Sequence, residues 1–509
     1  MNNYLCFDAG TQSVKVAVYS AEGECLAKAV NPTTLNYPHP GWVEMDVDEY
    51  YALTLEGMRA CAEQMKEKGL DPASVRTIMG DGIICGIAGV DADGHAVTPY
   101  INYLDSRTQE DAASLAARKL DIWACETGNP DPLCLFPALH ARWLLAHAPE
   151  RKKICKFMHN APYILLRLAG LKGGEAFIDW GAMSGWGLGY NVTKKCWSDE
   201  QLKILGIDSA LMPRIIRPWD TVGGLSGEAA SKTGFPAGIP ICAGAGDTMQ
   251  SLLACGVFAP GHAVDVAGTC SMFCISTDGI VPGLSQRGND LIFNSGTLPG
   301  TYFYWGFVRT GGLALRWFRD NVCGRPGDDA CYARLSEGAA KVPAGANGVR
   351  FLPWLTGGPK GYEDVHGCFL NMNMDTDQFV LWRAVLEAIA GEYGEIADRC
   401  RKAGTPVDRV IITEGGSRDP LWNQIKADRI RAETLTLLTG GALAVNALLG
   451  AYAAGDIENG EEGLKSALCQ GLRETGHFTP QPVADTGSIE EILPVTLFKR
   501  DENKKAPQA

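Results

Sequence analysis

The 509 residues predict an α/β chain of two domains, and three observations carry that reading. Short runs of β-forming residues alternate with longer stretches of helical apolar spacing. The length is more than one hydrophobic core ordinarily organises, so two cores are expected. A strand–turn–strand pattern built on Gly-Thr-x-Ser occurs twice, at residues 10–13 and 268–271, and an internal repeat sets an architecture. The expected division is residues 1–250, residues 251–490 and a charged tail over 491–509.

The first repeat opens the chain. Tyr4 to Phe7 are β-formers, and Val14, Val16 and Val18 alternate with smaller or polar residues, the period of a strand. Between the strands lies Asp8-Ala9-Gly10-Thr11-Gln12-Ser13. Gly10 permits backbone angles that a side chain forbids. Thr11 and Ser13 offer hydroxyls beside backbone N–H groups, which together make a concave anion site. Asp8, at the strand end, is placed to hold a hydrated cation. An ordinary β-hairpin is the competing reading of the same residues.

Ser20 to Glu24 predicts a turn into a third strand, and Pro38 to Asp46 a surface loop. Asp48 to Lys68 has helical apolar spacing. Ile78 to Val90 is apolar and glycine-rich, and Asp91-Ala92-Asp93-Gly94 reads as a hairpin turn. Residues 108–170 are helical in composition, and 171–245 are irregular. The apolar run Ile239 to Ala245 ends at Gly246-Asp247, where a helix-like stretch begins.

In the second half, Ala263 to Ile275 repeats strand, turn, strand. Phe379, Trp382, Leu386, Ile389, Tyr393 and Ile396 mark the buried stripe of an amphipathic helix. Val410 to Ile412 is a buried-type strand running into Thr413-Glu414-Gly415-Gly416-Ser417, with a helix from about Pro420.

Composition narrows the function classes. A net charge of −13 argues against a nucleic-acid partner, which favours a basic face. Seventeen cysteines, an odd number without zinc-type spacing, fit reduced thiols and a cytoplasmic location. No secretory leader and no membrane-length apolar run is visible, so no membrane partner is expected. His39, His95 and His366 stand apart from any ligand spacing and read as loop or surface residues.

Several of these stretches, in order, resemble the FGGY carbohydrate kinases, within the wider actin, hexokinase and Hsp70 type of ATPase. Asp8 to Lys15 looks like the first phosphate motif, and Tyr103-Leu104-Asp105-Ser106-Arg107 resembles the Trp-x-Asp-x-Arg substrate element. Ala243-Gly244-Ala245-Gly246-Asp247 resembles the turn carrying the catalytic aspartate. Gly268-Thr269 is similar to the second phosphate loop, and Gly311 to Phe318 to the helix start that follows it. Arg383 to Ala390 matches a long family helix. Glu414-Gly415-Gly416-Ser417, with Leu421-Trp422-Asn423-Gln424 and Ala427-Asp428, matches the adenosine motif.

The resemblance implies two actin-like (ribonuclease H-like) ATPase domains, with mixed sheets flanked by helices and a nucleotide in an inter-domain cleft. It implies Asp247 as general base and substrate contact, and Asp8 as the Mg²⁺ ligand through water. Gly10, Thr11, Gln12, Ser13 and Lys15 would face the phosphates of ATP, with Gly268 and Thr269 opposite. Gly312, Arg316, Gly415 and Gly416 would wall the adenosine pocket. Asp105 and Arg107 would contact sugar hydroxyls. From the residues alone, Asp247 also reads as a helix N-cap, Asp8 as a turn-capping residue and Arg316 as one side of a surface salt bridge.

The sugar elements depart from the pattern. Xylulose-type pentulose kinases carry Gly-Gln-Met-His-Gly where this chain has Gly82-Ile83-Ile84-Cys85-Gly86, which removes two hydrogen-bonding groups. The family's Gly-Glu-Arg is replaced over Thr356 to Lys360. The helix begun by Gly440-Gly441-Ala442 lacks the usual acidic residue. The expected activity is ATP-dependent phosphorylation of a ketopentose such as xylulose, or a related keto-sugar. Glycerol or another polyol is the alternative acceptor, and a nucleotide-binding regulator without turnover is the rival from another class. Homodimerisation is allowed by the sequence and not specified by it.

Overall fold

The opening hairpin forms as read: β1 (Asn3–Ala9) and β2 (Ser13–Ser20) pair antiparallel, with Asp8 opposite Lys15. β3 (Cys25–Pro32) continues the meander on β2. After α1 (Val47–Glu67), β4 (Val75–Gly82) enters parallel to β1 and places Asp81 opposite Asp8. Among the elements that follow are α2 (Pro137–His147), α3 (Asn160–Ala169), β5 (Thr221–Gly224) and β6 (Pro240–Cys242). The sheet runs β5-β6-β4-β1-β2-β3, and Ala245-Gly246 adds a short parallel pairing to β4. α4 (Asp247–Ala254) then begins.

In the computed structural model, residues 2–268, 271–308, 310–357 and 365–482 are described. Thr269, which the sequence assigns to the second phosphate loop, and the charged tail 491–509 lie outside them. Among the described residues no helix is long and apolar enough to cross a membrane.

A second unit holds β7 (His262–Val266), β8 (Ser271–Thr277), β9 (Tyr302–Val308), α5 (Gly311–Trp317), α6 (Ala330–Ala339), α7 (Gln378–Lys402), β10 (Arg409–Thr413), α8 (Pro420–Ile430) and β11 (Glu433–Leu438). Its strands are ordered β9-β8-β7-β10-β11. β7 pairs antiparallel with β8 and parallel with β10. The runs β3-β2-β1-β4 and β9-β8-β7-β10 correspond; beyond them the first sheet continues with β6 and then β5, the second with β11. The repeated Gly-Thr-x-Ser hairpins are the first two strands of each. The predicted apolar stripe of α7 packs inward through Trp382, Leu386, Ile389, Tyr393 and Ile396, all buried, while Phe379 in the first turn is only half-buried.

The two units do not follow the two halves of the chain. One comprises the residues up to Pro260 together with Ser276–Tyr304 and Leu438–Arg473; the other takes 261–275, 305–437 and the described residues from 474. The returning segment carries α9 (Gly441–Ala453), which lies on the first sheet. Strand alternation explains how. Leu5 and Phe7 face the core shared with α1 and α3. Tyr4 and Cys6 point the other way and meet Leu443, Ala447 and Ala451. Small residues let this helix sit close; a Cβ on Gly450 would come 2.6 Å from Thr77 Oγ1.

Candidate active site

Three carboxylates gather at the ends of the first unit's central strands. Asp8 and Asp81 are register partners on adjacent parallel strands, so their side chains share a face. Lys15, Asp8's partner across β2, puts its Nζ 2.8 Å from Asp8 Oδ2. The pairing of Ala245 and Gly246 with Asp81 and Gly82 then sets Asp247 at the first turn of α4. Gly246 is there because space demands it: a Cβ would stand 2.2 Å from Ile84 Cγ2 and 2.7 Å from Met249 Sδ.

The electrostatics follow from crowding like charges into an apolar setting. Asp247 is pushed up to about 7 by burial and then by the charge of Asp8, while hydrogen bonds from Thr248 pull the other way. Its Oδ1 accepts from Thr248 N at 2.6 Å and Thr248 Oγ1 at 3.1 Å. The N-cap position itself is Gly246, so Asp247 is the first helical residue and not the cap. Asp81, fully buried, is driven well above the usual carboxylate range by burial, then by Asp8 and Asp247. Sequence reasoning passes over Asp81. The available signal was an acid ending an apolar strand and followed by glycine, much as Asp8 ends β1.

The hairpin itself is tied back by backbone groups. Gly10 N donates to Ser13 O at 3.1 Å, and Tyr50 OH donates to Gly10 O at 3.0 Å. Gly10 is not among the residues of positive φ, and a Cβ there would meet nothing closer than 3.5 Å. The expected need for unusual backbone angles is therefore absent. A side chain at Gly10 would stand in ordinary contact with Asp8 Oδ1 and Ser13 O.

Asp105 and Arg107 are folded onto each other. Asp105 Oδ1 accepts from Arg107 N (2.8 Å) and Nε (2.9 Å), and Oδ2 accepts from Val43 N (2.6 Å) and Arg107 Nη2 (2.7 Å). Four donors meet the four lone-pair sites of the carboxylate. Arg107 also reaches Glu44 at 2.8 Å, and its guanidinium lies 3.9 Å from the ring centre of Trp42 and 4.7 Å from that of Trp143. Arg107 Nη1 is buried with no hydrogen-bond partner among the described residues. His140, on α2, lies near this pair and is held neutral by burial, its pKa lowered to about 4. Ile83, Ile84 and Cys85 are all buried. His39, His95 and His366 are exposed, as read.

In the second unit a cavity of about 810 Å³ is lined by Gly268, Gly312, Arg316, Gly415 and Gly416, every described residue expected of an adenosine and second-phosphate pocket. Three backbone segments meet at its floor: Gly312 N donates to Gly268 O and Gly416 N to Ala267 O, each at 3.1 Å. A Cβ on Gly416 would come 2.4 Å from that of Ala267. Glu414 is held at φ 60° and ψ −158°, a region that side chains avoid. On the wall, Asp419 caps α8 through Leu421 N and Trp422 N and accepts from Ser336 Oγ at 2.5 Å. Beneath it, Lys426 and Asp265 form a fully buried ion pair at 2.5 Å, with Tyr393 OH donating to Asp265 at 2.8 Å.

Two family models cover nearly the whole chain. Residues 3–254 match the N-terminal domain, and residues 263–454 the C-terminal domain, of the FGGY family of carbohydrate kinases. The chain belongs to that family. It is an ATP-dependent sugar kinase. The kinase is similar to a xylulose kinase of Bacillus subtilis (strain 168), 24% identical over 94% of this chain and 93% of that protein. It is similar to a glycerol kinase of Citrifermentans bemidjiense, 29% identical over 86% of each. The crystal structure of xylulose kinase from Rhodospirillum rubrum superposes with a TM-score of 0.83 at 25% identity, over 94% of this chain and 95% of that one. The kinase has the two-domain fold of this family, with mixed sheets flanked by helices, as its sequence implies.

Proposed function

We propose that the kinase moves the γ-phosphoryl group of ATP to a hydroxyl of a ketopentose such as xylulose, with Asp247 taking the hydroxyl proton. The observation that carries this is the placement of Asp247 in the first turn of α4, directly after the Ala245-Gly246 pairing with Asp81-Gly82; burial and the Asp8 charge raise its pKa, which makes it a stronger base than an ordinary carboxylate. In the first unit Gly10, Thr11, Gln12, Ser13 and Lys15 take phosphate. In the second unit Gly268 and Thr269 take phosphate, and Gly312, Arg316, Gly415 and Gly416 take the adenosine. The donor set around Asp8 is hard oxygen beside the phosphate hairpin, which fits Mg²⁺ bound through water. When bound, that ion supplies charge neutralisation at the transferring phosphoryl group. Asp105 orients Arg107, whose Nη1 is the donor left for an acceptor hydroxyl.

The ketopentose assignment draws on the xylulose kinase relative. Glycerol or another polyol is the second reading, supported by the glycerol kinase relative and by the apolar Ile83-Ile84-Cys85 in place of two polar groups. ADP release is measured with D-xylulose, D-ribulose, glycerol and D-gluconate. The expected result is the largest stimulation by a ketopentose, lost in Asp247→Ala with ATP still bound. Stimulation by glycerol alone would favour the second reading. No stimulation by any acceptor, with Asp247→Ala indistinguishable from wild type, would leave a nucleotide-binding regulator.

A further inference from the structure

A short chain of amides runs through the apolar core behind the three carboxylates. Asn446, on α9, donates through Nδ2 to Phe7 O at 3.1 Å and to Asp81 Oδ2 at 2.8 Å. Its Oδ1 accepts from Gln250 Nε2 at 2.6 Å. Gln250 Oε1 in turn accepts from Thr297 Oγ1 at 3.0 Å. Asn446, Gln250 and Asp81 are fully buried, and the surroundings are apolar: Met79, Leu253, Val445 and Leu449.

Each contact of Asn446 lands on an element that carries a carboxylate. Phe7 is the residue before Asp8 on β1. Asp81 ends β4. Gln250 stands three residues after Asp247, on the next turn of the same helix. Both ends of the Asn446 amide are used, and both ends of the Gln250 amide.

We propose that Asn446 and Gln250 are positioning residues for phosphoryl transfer: their paired amides lock α4, and with it Asp247, to the strand that presents Asp8. The proposal rests on the assignment of Asp247 as base. Stability alone is a poor reason for such a network, because apolar residues of the same volume would fill this core without desolvating two amides. A buried pair of amides bonded at both ends fixes one geometry among the several that apolar packing tolerates. α4 has only two turns, and apolar contacts alone permit it to slide or roll. A misplacement of about 1 Å at the reacting centre is worth on the order of 100-fold in rate.

The test replaces the hydrogen bonds and keeps the volume. Gln250→Met, Asn446→Leu and the double variant are assayed with the acceptor in the four-compound panel above that gives the fastest ADP release, or with water if none does. The kcat is expressed per ADP-binding site titrated by calorimetry, so that misfolded protein drops out. We expect each single variant to lose at least 10-fold in kcat while KM for ATP and acceptor stays within threefold. The double variant should fall no more than twofold below the worse single, because the two amides act as one link. A kcat per site within twofold of wild type in both singles would overturn the proposal, as would losses that multiply in the double. Asp247→Asn is run alongside. If it keeps wild-type kcat, the base assignment fails; if it is inactive while Gln250→Met and Asn446→Leu are normal, only the positioning role fails.

Discussion

A carboxylate whose pKa sits near 7 is protonated for half of the time at neutrality, and only its ionised form accepts a proton. Asp247 should therefore impose an acid limb on the kinase, with kcat/KM rising as pH passes upward through about 7 in the free enzyme. Asp247→Asn should abolish both the limb and the activity, by roughly 10²- to 10⁴-fold, as measured by ADP release from pH 5.5 to 9. Asp179 makes the contrasting case. It is fully buried and pushed up to about 7 by burial alone; Oδ1 accepts from Gly181 N and Ala182 N, while Oδ2 has no partner among the described residues. Its folded pKa lies above the unfolded value, so its stabilising effect is complete below about pH 4 and is lost as pH rises toward 7. Asp179→Asn keeps the cap and removes the titration. Its melting temperature should exceed that of wild type above pH 7, reflecting a stability gain on the order of 4 kcal/mol at most, with the gap closing toward pH 4. Asp247 was legible in the sequence because a strand, small residues and a helix start surround it. Asp81 and Asn446 were not, because their partnership spans 365 positions and no local pattern encodes it.

At the scale of elements, the turn after β10 combines two opposite demands. Gly416 must be glycine because Ala267 lies against it. Glu414, two residues earlier, holds a backbone conformation that only glycine adopts without strain. Glu414→Gly should therefore stabilise the protein by about 1–2 kcal/mol, read as a higher urea midpoint. Gly416→Ala should do the reverse, separating the Ala267 and Gly416 backbones and weakening ADP binding at least 10-fold by calorimetry. The glycine pair and its place between strand and helix were readable from Val410 onward. The strain at Glu414 was not, since composition does not report a φ angle. The hairpins, α1, α4, α7 and α8 were likewise readable, because each rests on local periodicity and turn chemistry. The pairing of β1 with β4 depends on long-range register instead.

For the whole molecule, the return of α9 to the first sheet matters most. Tyr4, Cys6, Ala17 and Tyr19 are apolar or aromatic and are covered by Leu443, Ala447 and Ala451. A chain ended at Pro260 would leave that face open, so it should not unfold cooperatively by circular dichroism and should bind the hydrophobic dye ANS. Adding residues 438–473 in trans should suppress the dye signal. The sequence presents the chain as two successive halves, because the repeated hairpins head each half. It conceals that a helix near the end belongs to the first sheet, since an alanine-rich helix fits many partners.

That return also orders events in time. On a ribosome adding 5–20 residues per second, roughly 10 to 40 seconds separate the emergence of Pro260 from that of the segment that completes its sheet. Throughout that interval the nascent chain carries an uncovered apolar sheet face, a surface suited to capture by a chaperone. The amide that Asn446 contributes arrives with the cover. The hairpin of β1 and β2 thus acquires its finished surroundings only after residues 438–473 have been made.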